Sequence, residues 1–265
     1  MSILIDASAN VHPSAILEDG AEIGPGVTIG PYAYIGAHVR LGAGTIIHHH
    51  ATVDGLVRMG DGNQVFPYAF IGGKTQDLKY TGGQPGLRIG DNNVFREYAS
   101  VHPATNDGEY TSIGNGNTIL AYSHIAHDCV LGDGIVMSGH NALAGHVTVG
   151  DHAIVAWGCG IHQFCRVGTF AMVGAMSRNS KDAPPYMIVE GEPAEVRAVN
   201  KVGLERRGFE QEAIHRIGRM FRILYRENLN RSQAIEKIAA SPDLANSPEG
   251  REIIRFYTTT TRGVA

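Results

Sequence analysis

The chain has 265 residues, of which 43% are hydrophobic and 18% charged, a composition that excludes intrinsic disorder. Glycine is abundant at 34 residues, but only 11 prolines accompany it and no Gly-X-Y triplet repeats, so the chain is not collagen-like. The formal net charge of -4 at pH 7 argues against a nucleic-acid-binding protein, which usually carries a broad basic surface.

The N-terminal segment predicts a cytoplasmic protein. Residues 1–13 lack the positively charged start and the long apolar core of a signal peptide. No apolar run reaches the ~17 to 25 residues of a membrane span, so we expect no stable membrane insertion. The three cysteines, an odd number in a chain of this size, are expected to be free thiols.

A period of six residues dominates the chain. Every sixth residue from Val11 to Ile71 is apolar, and the same spacing returns from Ile113 to Val173. The residue two positions earlier is usually small, so alternate residues of a short strand would point together into a core. Hexapeptide repeats are typical of parallel β-helices, in which stacked coils share one core. The sequence therefore predicts a mainly β fold, with the cysteines as small buried residues of that core.

Two segments interrupt the period, near residues 72–88 and near residues 102–112. The first is flanked by glycines and carries Gln76, Asp77 and Lys79. Loops held on a rigid scaffold often carry ligand contacts, so this segment is a candidate binding loop. The second segment is less informative.

The densest group of candidate catalytic residues follows the second interruption. His124 and His127 flank an inward isoleucine, and Asp128 follows His127 directly. Imidazole titrates near neutral pH, and a carboxylate that fixes its tautomer makes it a competent general base. The sequence therefore favours His127 as a base that Asp128 orients.

Neighbouring coils extend this group. If one coil has about 18 residues, as three six-residue sides would give, His127 aligns with Gly145 and Gln163, and Asp128 aligns with His146, at ~4.8 Å per coil. The result is a polar column on the outside of the predicted β-helix.

The C-terminal part is predicted to be helical. Pro184 and Pro185 end the six-residue period, and apolar residues recur at helical spacing from about Leu204 to Glu227. Asn230 and Ser247 are expected to cap two further helices. We predict a β-helix over 1–190 and a small C-terminal α-helical domain over 191–265.

Two other functions remain open on the residues alone. Four histidines, His124, His127, His146 and His162, are numerous enough for a zinc site of the gamma carbonic anhydrase type, although the H-x-x-H spacing of the first pair fits it poorly. The coils could also form a scaffold without catalytic activity. The sequence contains no serine nucleophile elbow, P-loop or dinucleotide-binding glycine motif in its proper context.

Seven short motifs, distributed over nearly the whole length, match one known family. They are QDLKY at 76–80, HIAHDC at 124–129, LAGH at 143–146, HQFC at 162–165, DAPPY at 182–186, GLERRGF at 203–209 and TRG at 261–263. With them the chain resembles the UDP-N-acetylglucosamine O-acyltransferases, a hexapeptide-repeat acyltransferase family of lipid A biosynthesis. The resemblance implies a left-handed parallel β-helix with three sides, and a homotrimer with active sites in the clefts between subunits.

The resemblance also implies the reaction and the residues that carry it. Acyl carrier protein, through its phosphopantetheine thioester, would donate a 3-hydroxyacyl group to the 3-position of UDP-N-acetylglucosamine, with no other cofactor and no metal ion. His127 matches the general base, Asp128 its orienting partner, and the backbone N–H of Gly145 the oxyanion donor. The positions that match substrate contacts are Gln76, Asp77, Lys79, His124, His146, His162, Gln163, Asn200, Arg206 and Arg207.

Three residues depart from the usual pattern of the family. Val202 and Pro193 stand where glutamate and histidine are familiar, so nucleotide recognition and the choice between the sugar and its 3-amino analogue stay open. Ala175 stands where a glycine often sets acyl-chain depth. With Met172 it is the expected acyl-chain ruler, and we expect a preference for chains shorter than the longest that the family uses.

Overall fold

The fold is a parallel β-helix followed by a group of helices. A computed structural model describes residues 2–265. Three sheets run along the β-helix, and each coil contributes one short strand to each of them. Equivalent residues of neighbouring coils are 18 apart in most of the chain, as in the pairing of Ile23 with Leu41. The predicted fold class is confirmed.

The strands are short and regularly spaced. In chain order, β1 to β29 span Leu4–Ile5, Asn10–Val11, Ile16–Leu17, Glu22–Ile23, Thr28–Ile29, Tyr34–Ile35, Arg40–Leu41, Ile46–Ile47, Thr52–Val53, Leu56–Met59, Gln64–Val65, Phe70–Ile71, Gly86–Ile89, Val94–Phe95, Ser100–Val101, Tyr110–Ile113, Thr118–Ile119, His124–Ile125, Val130–Leu131, Val136–Met137, Ala142–Leu143, Thr148–Val149, Ile154–Val155, Gly160–Ile161, Arg166–Val167, Met172–Val173, Arg178–Asn179, Met187–Gly191 and Ala194–Val199. Up to β27, every third strand belongs to the same sheet: sheet A begins with β1, sheet B with β2 and sheet C with β3.

The six-residue period corresponds to one side of a coil. Within a side, the small residue and the aliphatic residue two positions later both point inward, as Ala33 and Ile35 do with no exposed surface. The coils therefore stack their inward residues into one continuous core. The three cysteines lie in this core as free thiols, and burial raises the pKa of Cys129 to about 12. The prediction that they are small core residues is confirmed.

The chain leaves the coil twice at the same corner, between sheets C and A. Consecutive inward residues are normally six apart, but Ile71 and Ile89 are 18 apart, and Val101 and Ile113 are 12 apart. The extra residues form two loops that touch each other, because the N–H of Gln84 donates a hydrogen bond to Oδ1 of Asp107 at 2.8 Å. Both loops therefore stand beside the corner that carries the HIAHDC motif.

The β-helix ends in an antiparallel hairpin. Strand β28 adds to sheet B beside β26 and pairs with β29. The helices α1 to α5 follow and span Lys201–Arg206, Gln211–Arg226, Arg231–Ala239, Pro242–Ala245 and Pro248–Thr258. None of the helices within residues 2–265 combines the length and the apolar composition that crossing a bilayer requires.

The sequence predicted one helix from about Leu204, but the structure has two. Gly208 adopts φ +78°, a left-handed conformation that ends α1, and Glu210 is extended before α2 begins. The two predicted caps are confirmed: Asn230 forms a capping box with Gln233, and Ser247 accepts a hydrogen bond from the N–H of Gly250 at 3.0 Å.

A buried ion pair fastens the helices to the last coil. Asp182 is 1% exposed, and its carboxylate accepts hydrogen bonds from Nε of Arg166 at 2.9 Å and from Oγ1 of Thr260 at 2.8 Å. The same arginine donates to the carbonyl of Phe256 at 2.7 Å. Breaking such a buried pair on one side is strongly destabilising, so this contact fixes the position of α5.

Candidate active site

His127 and Asp128 form the corner that joins β18 to β19. Asp128 adopts φ +60°, in the left-handed region that aspartate tolerates better than most residues. Its N–H donates to Oγ1 of the buried Thr111 at 2.8 Å, which holds the corner in place. The local fold therefore places the imidazole and the carboxylate side by side.

The two side chains form a tight hydrogen-bonded pair. Nδ1 of His127 lies 2.7 Å from Oδ2 of Asp128, and both side chains are mostly buried. Burial raises the pKa of Asp128, but hydrogen bonds from Thr105 and His127 outweigh it and hold that pKa below its usual value. The ionised carboxylate accepts from Nδ1–H, which leaves the lone pair on Nε2 of His127.

Thr105 is part of the site, and the sequence reasoning missed it. It is 6% exposed, and its Oγ1 lies 2.7 Å from Oδ2 of Asp128, 3.0 Å from Oδ2 of Asp77 and 3.1 Å from Nδ1 of His127. Its N–H also donates to Oδ1 of Asp128 at 3.1 Å. Thr105 stands in the second loop, outside the six-residue period, so no coil alignment could have found it.

The first loop brings a second carboxylate to the imidazole. Oδ2 of Asp77 lies 3.8 Å from Nδ1 of His127. The N–H of Lys79 lowers the pKa of Asp77 most, and the Thr105 hydroxyl lowers it further against the opposing effect of burial. Two carboxylates, those of Asp77 and Asp128, therefore lie beside Nδ1 of His127.

The next coil supplies Gly145 and His146. A Cβ on residue 145 would lie 2.6 Å from Nε2 of His127, so only glycine lets the backbone approach the imidazole this closely. The N–H of Gly145 donates no hydrogen bond within residues 2–265. Nε2 of His146 lies 3.6 Å from Oδ2 of Asp128, and its ring stacks on Phe164 at 4.5 Å.

Other predicted contacts surround this cluster. Nδ1 of His124 lies 2.9 Å from Oγ of Ser100, and desolvation, with the charges of two neighbouring histidines, lowers the pKa of His124. Gln76 and Lys79 are exposed on the first loop, and Gln163 is exposed one coil beyond Gly145. His162 is also exposed and accepts a hydrogen bond at Nδ1 from Nη2 of Arg262 at 3.2 Å.

Five predicted residues do not join the cluster within one chain. Asn200 is buried, and its amide caps α1 and donates to the carbonyl of Phe170 at 2.9 Å. Arg206 and Arg207 are exposed at the end of α1. Met172 lies on sheet B, and Ala175 on the corner after it.

The cluster also contains a set of metal-ligating groups. Asp77, His127, Asp128 and His146 each offer a ligand atom, and the four atoms lie within 4.8 Å of one another. Of the four histidines of the zinc alternative, His127 and His146 belong to this group, whereas His124 and His162 lie outside it within one chain.

Comparisons with known proteins agree on one family. Residues 182–265 match the family model described as UDP N-acetylglucosamine O-acyltransferase, domain 2, and residues 20–55 match the bacterial transferase hexapeptide model. The acyl-[acyl-carrier-protein]--UDP-N-acetylglucosamine O-acyltransferase of Gloeothece citriformis is 40% identical over 191 residues, which are 72% of this chain and 69% of that protein.

Solved structures are similar over nearly the whole chain. LpxA from Acinetobacter baumannii is 37% identical and superposes with a TM-score of 0.86, covering 99% of both chains. The UDP-N-acetylglucosamine acyltransferase from Campylobacter jejuni is 35% identical with a TM-score of 0.89, covering 96% of this chain and 98% of that one.

Proposed function

The chain belongs to the UDP-N-acetylglucosamine O-acyltransferase family, and from that premise we propose that it transfers a 3-hydroxyacyl group from acyl carrier protein to the 3-position of UDP-N-acetylglucosamine in lipid A biosynthesis. The observation that carries the mechanism is the 2.7 Å contact between Nδ1 of His127 and Asp128, with Gly145 against the other edge of the ring. The acyl donor is the phosphopantetheine thioester of the carrier protein, and the reaction uses no other cofactor.

His127 acts as the general base. Its Nε2 accepts the proton of the sugar 3-hydroxyl as the oxygen attacks the thioester carbonyl carbon. The carbon–oxygen bond forms, the carbon–sulfur bond then breaks, and the proton on Nε2 passes to the leaving thiolate. Asp128 holds the tautomer and, with Asp77, stabilises the imidazolium that exists between these two steps. No covalent acyl-enzyme is needed.

Gly145 stabilises the oxyanion. The free N–H of Gly145 is the donor for the negative oxygen of the tetrahedral intermediate. A preorganised donor of this kind contributes about 3 kcal/mol to transition-state stabilisation. Because Gly145 lies close to the imidazole, the oxyanion donor and the general base are both beside the thioester carbonyl carbon.

The surrounding polar residues are proposed to bind the substrates. Asp77, His124 and His146 contact the sugar, because they lie around the imidazole of His127. The contacts to the acyl-pantetheine and nucleotide parts come from Gln76, Lys79, His162, Gln163, Asn200, Arg206 and Arg207.

We propose that the enzyme is a cytoplasmic homotrimer whose site needs two chains. In a three-sided coil, the corner between sheets C and A lies opposite sheet B. His127 stands at that corner, whereas Met172 is on sheet B and α1 follows the hairpin that extends it. These residues meet only if sheet B of a second copy faces the corner of the first.

The base is tested by changing His127 to alanine. Loss of a general base typically lowers turnover 10²- to 10⁴-fold, so we expect at least a 100-fold fall with an unchanged fold. Acyl transfer to UDP-N-acetylglucosamine and to its 3-amino analogue is measured together with circular dichroism. His49→Ala, at an exposed histidine outside the site, is the control. Near-normal turnover of the folded His127 variant with both acceptors contradicts this mechanism.

Acyl-chain length is tested at Ala175, which we propose to end the acyl groove together with Met172. Removing one methyl group lengthens the groove, and discrimination of this size is worth ~1 to 3 kcal/mol. Ala175→Gly should therefore shift the optimum to longer 3-hydroxyacyl chains in competition between carrier proteins of graded chain length. Identical length profiles for the two enzymes would show that Ala175 is not the stop.

A further inference from the structure

We propose that Asp77, His127, Asp128 and His146 form a binding site for Zn²⁺, and that the bound ion switches off acyl transfer. The four residues come from the first loop, from the corner after β18 and from the next coil. Their ligand atoms already face one another without any ion.

The distances fit a four-coordinate ion after small movements. Zn²⁺ binds carboxylate oxygen and imidazole nitrogen at about 2.0 to 2.2 Å, so tetrahedral ligand atoms stand roughly 3.3 Å apart. Oδ2 of Asp128 lies 2.7 Å from Nδ1 of His127 and 3.6 Å from Nε2 of His146. Oδ2 of Asp77 lies 3.8 Å from Nδ1 of His127. These three separations are within about 0.6 Å of the tetrahedral value, and all pairs of ligand atoms lie within 4.8 Å, so binding requires the side chains to close around the ion.

The chemistry of the donor set selects a transition-metal ion. Two ionised carboxylates and two neutral imidazoles balance the charge of a dication. Imidazole suits Zn²⁺, whereas Mg²⁺ prefers six oxygen ligands in near-octahedral geometry. The Thr105 hydroxyl, 2.7 Å from Oδ2 of Asp128, orients one carboxylate as outer partners of metal ligands do.

Binding would fix the wrong tautomer of His127. Zn²⁺ takes the lone pair of Nδ1, the proton of Nδ1 moves through solvent to Nε2, and no electrons are transferred. Because Nε2 then carries hydrogen, it cannot accept the proton of the sugar hydroxyl. This inhibitory effect rests on the proposed role of His127 as base, whereas the binding of the ion does not.

The test measures binding apart from activity. The metal-free enzyme is titrated with Zn²⁺ by calorimetry and with Co²⁺, whose visible absorption reports a low-coordinate site. We expect one ion per chain, no comparable binding of Mg²⁺, and acyl transfer that falls with occupancy and returns on addition of a chelator. Asp77→Asn and His146→Asn should each weaken binding about tenfold or more. Asparagine is chosen at 146 because it tolerates the φ of +61° found there.

The matched control removes a different histidine pair. The Nδ1 atoms of the exposed His49 and His50 lie 3.0 Å apart, well away from the cluster in sequence. His49→Gln with His50→Asn should leave turnover, zinc affinity and inhibition unchanged. The proposed zinc site is wrong if the folded wild-type enzyme binds no Zn²⁺. It is also wrong if binding survives both cluster variants and is lost in the control. If one Zn²⁺ binds at the cluster and turnover is unchanged, the inhibitory mechanism is wrong. The acyltransferase function is then judged by the His127→Ala experiment alone.

Discussion

The hydroxyl of Thr105 lies among the charged groups around His127. Oγ1 of Thr105 is within 3.1 Å of two carboxylate oxygens and of Nδ1 of His127, yet it has only one hydrogen to donate. It therefore influences which carboxylate accepts the hydrogen bond from Nδ1–H of the imidazole. We infer that Thr105 acts through Asp128 and Asp77, as a positioning residue.

Replacing this hydroxyl should change the pH dependence of the reaction. In Thr105→Val the hydroxyl hydrogen bond that lowers the pKa of Asp128 is lost, whereas the hydrogen bonds from His127 and from the backbone N–H of residue 105 remain and burial continues to raise that pKa. The carboxylate then protonates at higher pH, so the acid limb of the kcat profile moves upward. We expect kcat at neutral pH to fall about tenfold, since a buried donor to a charged group is worth ~1.5 to 3 kcal/mol.

Thr105→Ser keeps the hydroxyl and is the matched control. It should restore both kcat and the position of the acid limb, with the KM for UDP-N-acetylglucosamine little changed throughout. A purely structural role would instead lower stability and leave the pH profile where it is. An acid limb at the same pH in the valine and wild-type enzymes would contradict the positioning role.

Helix α2 carries basic residues along a groove. Between Arg197 and Arg231 there are nine basic and four acidic residues, in a chain with a net charge of -4. The groove is lined by Val199, Lys201, Ile214, His215, Gly218, Arg219 and Arg222. Arg219 pairs with Asp243, whereas Arg222 has no ion-pair partner among residues 2–265. The unpaired guanidinium is the better candidate contact for an acidic carrier protein.

Charge reversal on α2 tests this assignment. Arg222→Glu should raise the KM for acyl carrier protein about tenfold at low salt, more than Arg219→Glu does, and the effect should shrink as salt screens it. Binding of the UDP-sugar should be unaffected. Arg58→Glu, on the exposed side of β10, makes the same charge change on the coil and should have no effect. An unchanged KM in Arg222→Glu places the carrier site elsewhere.

Most of the fold, but only part of the candidate site, could be predicted from the sequence. The coil and its core were predictable, because one inward pair recurs at a fixed spacing from Val11 to Val173. The hydrogen-bonded pair of His127 and Asp128 could be picked out because the two residues are adjacent in the sequence. Thr105 was missed, because its partners are 22 to 28 residues away and meet it through a loop with no period. The hairpin of β28 and β29 was also missed, since prolines had ended the repeat before it.

The proposed active site joins two chains of the trimer. His127→Ala and the double variant Arg206→Ala, Arg207→Ala should each be inactive alone. In a mixed trimer of either composition, one of the three clefts combines an intact corner with an intact α1, so activity should return to roughly a third of the wild-type value. Acyl transfer is measured on mixed oligomers separated by two different affinity tags.

The control mixes two defects of the same corner. His127→Ala combined with Asp128→Asn leaves every corner damaged, whichever chains meet, so no activity should return. Mass spectrometry verifies that mixed trimers have formed. If acyl-transfer activity then returns in neither mixture, one chain holds the whole site.

Among residues 2–265, the first coil packs against a neighbouring coil on one side only. The inward residues of strands β1, β2 and β3 are incompletely buried, with Ile5 at 47% exposed, whereas strands β4 to β26 bury every inward residue. In a stack where each layer is held by the layers beside it, opening starts at the free end and advances one layer at a time. The other end is closed by the hairpin and helices. Amide exchange should therefore slow progressively from the N-terminus inward, and catalysis should outlast the loss of the first layers.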